Sequence, residues 1–154
     1  MVWWIVLGLI LWLIFNWLAP LSLLAFAERL SIGRIPRNIL DKANAYHVHY
    51  YVAKLVRPGA FTTWLGWKHA VVIDRDFLQR AHPSQIRFVL AHELGHCALG
   101  HMKVRWLCTV TGFALLPPVQ RFLRRKEEEA DDFAEKLSGI DRAVLTDQKI
   151  AANS

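Results

Sequence analysis

From Met1 to Ala27 no position carries a charged side chain. About 20 apolar residues are enough to cross the hydrocarbon core of a bilayer, so this run predicts a membrane-spanning helix. A cleaved signal peptide is the competing explanation, but such peptides open on a positive n-region and close on small residues. Here Trp3 and Trp4 follow the start, and Asn16-Trp17 precede Pro20. Tryptophans at both ends fit the interfacial belts of an uncleaved anchor. Pro20 ends that helix or begins a short interfacial one.

Beyond Ala27 the pattern changes. Tyr46–Val56, "YHVHYYVAKLV", is rich in β-branched and aromatic residues and predicts a strand. Ala60–Asp74 predicts a hairpin with Leu65-Gly66 near the turn and His69–Ile73 as the returning strand. His82-Pro83 marks a helix start, with Gln85 placed to help cap it, and Gly100 offers a stop after Leu99. A second helix is expected over Arg121–Leu137, ending at Ser138-Gly139, and Asp141 can cap a short last one. Asn38–Asn44 has room for a helical turn or two. The order predicts an α+β domain with a small antiparallel sheet. Residues 1–27 form the anchor, 28–44 a connector and 45–154 the domain.

The apolar stretch Trp106–Val119 interrupts that domain and is too short to span a bilayer. With Lys103 and Arg105 on one side and Arg121 and Arg124 on the other, it suits a segment lying on the membrane or packed on the domain. The first charges after the anchor are Glu28, Arg29, Arg34, Arg37 and Lys42, which by the positive-inside rule place the N-terminus outside and the domain in the cytoplasm. A net charge of +6 does not indicate nucleic acid, because no nucleic-acid module or basic stripe interleaved with aromatics is present. Anionic lipid headgroups are the simpler partner. The two cysteines, Cys97 and Cys108, form no CxxC pair and read as reduced apolar residues.

The candidate chemistry lies in Val89–His101, "VLAHELGHCALGH". His92 and His96 are four apart, so on a helix both imidazoles project from one face. That geometry suits two nitrogens at about 2.0–2.1 Å from one zinc ion. Glu93 lies about 100° further round, where it can act on a water without ligating the ion. Chance alone produces H-E-x-x-H in about one such chain in a hundred. The surrounding residues Phe88, Val89, Leu90, Ala91, Leu94, Cys97 and Leu99 argue against an exposed helix, and an unpaired buried Glu93 would be expensive. Two histidines and a water leave tetrahedral zinc one protein ligand short. In "RRKEEEADDFAEKLSG", Glu127, Ala130, Asp131 and Ala134 share one helical face, which favours Glu127 as the ligand over Glu128 and Glu129. Asp131 is placed to accept a hydrogen bond from a ligating imidazole. Glu128, Glu129, Asp132 and Glu135 read as solvated charges. His47 and His49 read as a half-exposed strand face, and His101, five residues after His96, falls off the ligand face.

The pair of motifs resembles the membrane-bound gluzincin peptidases, which include the HtpX-type heat-shock membrane proteases and the CAAX prenyl endopeptidases. Glu127-Glu128-Glu129-Ala130-Asp131 fits their E-x-x-A-D pattern, and the likeness covers about Ala60–Leu145. It implies a compact zincin-like domain, a minimal gluzincin, with one Zn²⁺ per chain on His92, His96 and Glu127 and with Glu93 as general base. It also implies a substrate strand added to an edge strand Ala70, Val71, Val72, Ile73, and a place in the bacterial inner membrane. Larger members carry two further spans between the motifs, where this chain has only Trp106–Val119. Related enzymes also place a His, Tyr or Arg after the glutamate motif to stabilise the oxyanion. Here only Arg142 follows, and His69 or a tyrosine of Tyr46–Tyr51 is the substitute. The expected function is hydrolysis of a membrane-proximal protein or peptide. A zinc-binding regulatory module of peptidase descent, without turnover, is the alternative.

Overall fold

The computed structural model describes residues 27–30, 35–56, 59–64, 68–111 and 113–143, with scattered positions before residue 27. The expected anchor therefore lies largely outside the described residues. No helix among the described residues is long and apolar enough to cross a membrane. The short final helix after Asp141 also falls outside, beyond residue 143. At its start Asp141 Oδ1 accepts from Ala143 N at 2.8 Å.

The chain runs β1 (Glu28–Arg29), α1 (Arg37–Ala45), β2 (Val48–Ala53), β3 (Ala60–Trp64), β4 (His69–Asp74), α2 (Arg75–Arg80), α3 (Pro83–Ala98), α4 (His101–Val110), a 3-10 turn (Phe113–Leu115) and α5 (Pro117–Ser138). The class is α+β, as expected. The sheet, however, is mixed: its order is β1-β2-β4-β3, with β2 and β4 parallel and the other two pairs antiparallel.

That order corrects one expectation. Ala70–Ile73 is paired on both sides and buried at every position, so it is a central strand and offers no edge. Its unbroken apolar run is what burial on both faces requires. The edge strands among the described residues are the two-residue β1 and the five-residue β3, whose side chains include Thr62 and Thr63 and are mostly half-buried. The β3–β4 pairing is the expected hairpin, with its turn outside the described residues.

Helix α3 lies between the sheet and α5. It starts with a capping box at His82: Gln85 Oε1 accepts from His82 N at 3.1 Å, and Pro83 takes the first position, where no N–H is needed. Leu90, Ala91 and Leu94 are fully buried with Ile39, Val71 and Ile73. Full burial of each large aliphatic chain stabilises by about 1.5–3 kcal/mol. Tyr50 donates its hydroxyl to Leu90 O at 3.3 Å, joining β2 to α3. Gly100, at φ +70°, takes the left-handed conformation that ends α3.

The chain does not stay irregular after Gly100. Helix α4 begins at once, so Trp106–Val119 comprises the end of one helix, a 3-10 turn and the start of another. Helix α5 begins at Pro117, four residues earlier than expected, because two prolines are tolerated in a first turn. It ends at Gly139 in the left-handed conformation, where the sequence placed the stop. Asn38 Nδ2 donates to Leu137 O at 2.7 Å and fastens its last turn to α1.

Small residues bring α3 and α5 together. A Cβ on Gly95 would sit 3.2 Å from Phe133 Cδ1 and 3.3 Å from the Ala130 backbone, while Ala130 and Ala134 are fully buried. Ala130→Leu is expected to destabilise the fold by about 1–3 kcal/mol through overpacking, read as a lower denaturation midpoint. Asp74 caps α2 by accepting from Phe77 N, and also accepts from Leu55 N, both at 2.9 Å. Those bonds favour the charged carboxyl and hold it below its ordinary value of 3.8. Its stabilising contribution is therefore present above that value and is lost as pH falls through the lowered one. An acid titration followed by circular dichroism should show less acid sensitivity in Asp74→Asn than in the wild type.

Candidate metal centre and active site

His92 and His96 leave α3 on one face, and Glu127 meets them from α5. Their facing atoms form a triangle: 3.1 Å between the two Nε2 atoms, 3.5 Å from His92 Nε2 to Glu127 Oε2, and 3.3 Å from His96 Nε2 to the same oxygen. Three ligands around a tetrahedral zinc at about 2.0–2.1 Å stand about 3.3–3.4 Å apart. The residues present fit that ion. Among the described residues these three are the group of His, Cys, Asp and Glu close enough to hold a metal.

The partners behind the imidazoles explain why their Nε2 lone pairs face inward. His92 Nδ1 lies 2.8 Å from Asp131 Oδ1, so it carries the proton and donates, leaving Nε2 bare. His96 Nδ1 lies 3.1 Å from His101 Nδ1, and His101 Nε2 lies 3.1 Å from Glu129 Oε2. One assignment satisfies this run: His96 donates to His101, which donates to Glu129. Lys126 Nζ closes it at 2.8 Å from Glu129. Burial lowers the His101 pKa more than Glu129 raises it, consistent with a neutral imidazole that accepts at one nitrogen.

Electrostatics mark the centre as a place for positive charge. Burial pulls the His92 pKa down, but Glu127, Glu93 and Asp131 outweigh it and the net shift is upward. The imidazoles of His92 and His96 beside it hold the Glu127 carboxyl far below the usual carboxylate range. Glu93 is buried on the same helix, and Thr62 Oγ1, from β3, donates to its Oε2 at 2.5 Å. A cleft of about 560 Å³ brings these groups together beside the free strand: it is lined by Ala60, Phe61 and Thr62 on one side and by Met102, Arg105 and the three facing residues on the other.

Some expected residues sit elsewhere. Arg142 does not line the cleft. Its Nη1 lies 2.6 Å from Asp131 Oδ2, behind His92, where it steadies that carboxylate. His69 is also absent from the lining, as are Ala70, Val71, Val72 and Ile73. His49 Nδ1 is bonded to Arg29 at 3.0 Å. Cys97 is buried, its thiol pushed up to about 12, mainly by burial.

Other groups were missed in the sequence. Arg105 is the cation at the cleft, its Nη1 3.0 Å from Glu127 Oε1. Its signal was a basic residue four positions after His101, legible only once α4 is known to be a helix. Thr62 gave no local signal at all. His101 and Glu129, read as off-face and solvated, instead support His96.

Beyond this geometry, a family model described as Peptidase family M48 matches residues 27–116. The chain belongs to peptidase family M48. The matched span carries His92, Glu93 and His96 and makes this a metallopeptidase sequence; it stops before Glu127, for which the metal-binding geometry speaks. No curated protein matches the chain. In an M48 peptidase built this way, Asp131→Ala should keep the fold and weaken zinc binding by about 10–100-fold, measured by competition with a chromophoric chelator.

Proposed function

We propose that the protein is a zinc-dependent metalloendopeptidase, held at the membrane by its N-terminal apolar segment, that hydrolyses peptide bonds of membrane-proximal proteins or peptides. The observation that carries this reading is the triangle of His92 Nε2, His96 Nε2 and Glu127 Oε2, with Glu93 in the same cleft beside an unpaired strand edge.

His92, His96 and Glu127 would hold the zinc ion, which would supply Lewis acidity toward a carbonyl and a water. The protein's own groups do the rest. An extended substrate segment adds to the free edge of β3, which presents main-chain groups along Ala60–Trp64. Glu93, oriented by Thr62, takes the proton from the attacking water and hands it to the leaving nitrogen. Arg105 is the cation available to a carbonyl oxygen that gains negative charge, while it also orients Glu127. Asp131 and His101 hold the two imidazoles in the ligating tautomer.

The absence of a histidine or tyrosine among the cleft-lining residues named above, other than His92 and His96, favours the second reading, a zinc-binding module without turnover. One set of variants separates the two. Detergent-purified wild type and Glu93→Gln should each hold close to one zinc, and His96→Ala and Glu127→Ala should lose it. Glu93→Gln should lower cleavage of a peptide library, followed by mass spectrometry, by about 10²–10⁴-fold. Zinc without any Glu93-dependent cleavage would select the second reading, and no zinc in reloaded wild type would end both.

A further inference from the structure

From Met102 to Lys126 there is no acidic residue, yet Lys103, Arg105, Arg121, Arg124, Arg125 and Lys126 all fall there. With 19 Lys and Arg against 13 Asp and Glu in the whole chain, this stretch carries the entire net charge of +6, and the remainder is balanced. The same stretch holds the tip between α4 and α5. There Leu115 is 80 % exposed, Phe113 56 % and Leu107 55 %, with Leu116 and Phe122 also exposed.

This apolar surface does not result from a loose helix. Trp106 fixes the opposite side of α4 to the sheet, its ring 6.3 Å from that of Trp64 on β3, and Lys103 lies over the Trp64 ring at 5.9 Å. Val104 and Leu107, three apart, are left facing outward. The tip is therefore supported from the sheet, with exposed apolar side chains and with exposed cations close by in the chain, among them Arg121, Arg124 and Arg125.

We propose that this tip docks into the headgroup region of an anionic bilayer. Apolar side chains flanked by basic ones are what an interfacial segment needs: the first enter the acyl boundary and the second meet the phosphates. A second copy of this chain is a poor occupant, since it would set one such basic surface against another. The helices that form the tip also carry Arg105 and Glu127, so docking seats the cleft against the membrane surface. The inference rests on the membrane-anchored reading but not on the peptidase chemistry, so zinc content and Glu93→Gln activity do not bear on it.

The test uses the full chain reconstituted into vesicles of phosphatidylcholine, with or without phosphatidylglycerol. A polarity-sensitive fluorophore is placed on Leu115→Cys in a Cys108→Ser background, Cys97 being buried. A control label goes on Asp41→Cys, on the exposed face of α1. In anionic vesicles the tip label should shift to the blue and be quenched by lipids carrying a mid-chain nitroxide, and the control label should not. Arg121→Glu with Arg125→Glu should cut tip insertion at least tenfold, since each basic residue near such a surface is worth about fivefold in binding. Unchanged zinc content shows that this variant is folded. A tip label equally exposed to water in both vesicles would overturn the proposal. So would protection that rises with protein density without nitroxide quenching, which marks a second copy, or quenching of both labels alike.

Discussion

Everything at the centre depends on how closely two helices approach. Gly95 stands between His92 and His96, and Ala130 lies just beyond Glu127; they meet closely enough that one more methyl group on Gly95 would push its neighbours apart by a few tenths of an ångström. The helix carrying two imidazoles and the helix carrying the carboxylate thus meet at Gly95 against the Ala130 backbone and the Phe133 ring. A triangle little more than 3 Å on an edge tolerates little slack. Close-packed interiors yield poorly to added volume, which is why small residues at that contact matter more to the chemistry than their size suggests.

Each imidazole also has its own support behind it, and the two supports differ in kind. His92 leans on a carboxylate that is itself paired with Arg142. His96 leans on a second imidazole, then Glu129, then Lys126, a run that reaches from a buried nitrogen to the surface. Both end on a cation, so the acidic groups behind the imidazoles are balanced. Glu93 is held differently, by a neutral hydroxyl from the sheet. A neutral donor leaves the base free of a competing ion pair, as a group that must accept a proton requires.

How much of this could be read from the chain varies with the range of the interaction. His82-Pro83, Gln85, Gly100 and Gly139 are local signals, and the boundaries of α3 and the end of α5 followed from them. His92, Glu93 and His96 were legible because their spacing encodes a helical face, and Asp131 because it lies one turn from Glu127. The failures cross a break in local structure. His101 was placed by continuing the α3 wheel past Gly100, but a left-handed residue there redirects the chain and returns His101 to His96. Strand order is a property of the whole sheet, so the edge that the resemblance implies for Ala70–Ile73 is not one, and its apolar run fits burial on both faces. Thr62 and Glu93 are 31 residues apart, and no local pattern joins them.

The free edge of β3 has a consequence for selectivity. A strand edge engages the main chain, which is the same in every sequence, and only lightly samples side chains. A segment already committed to a helix or to its own sheet has no main-chain groups to offer. On the proposed reading, Ala60–Trp64 therefore screens its targets by conformation: well-folded neighbours in the membrane are passed over, and those with an unpaired, extended stretch are admitted whatever their composition.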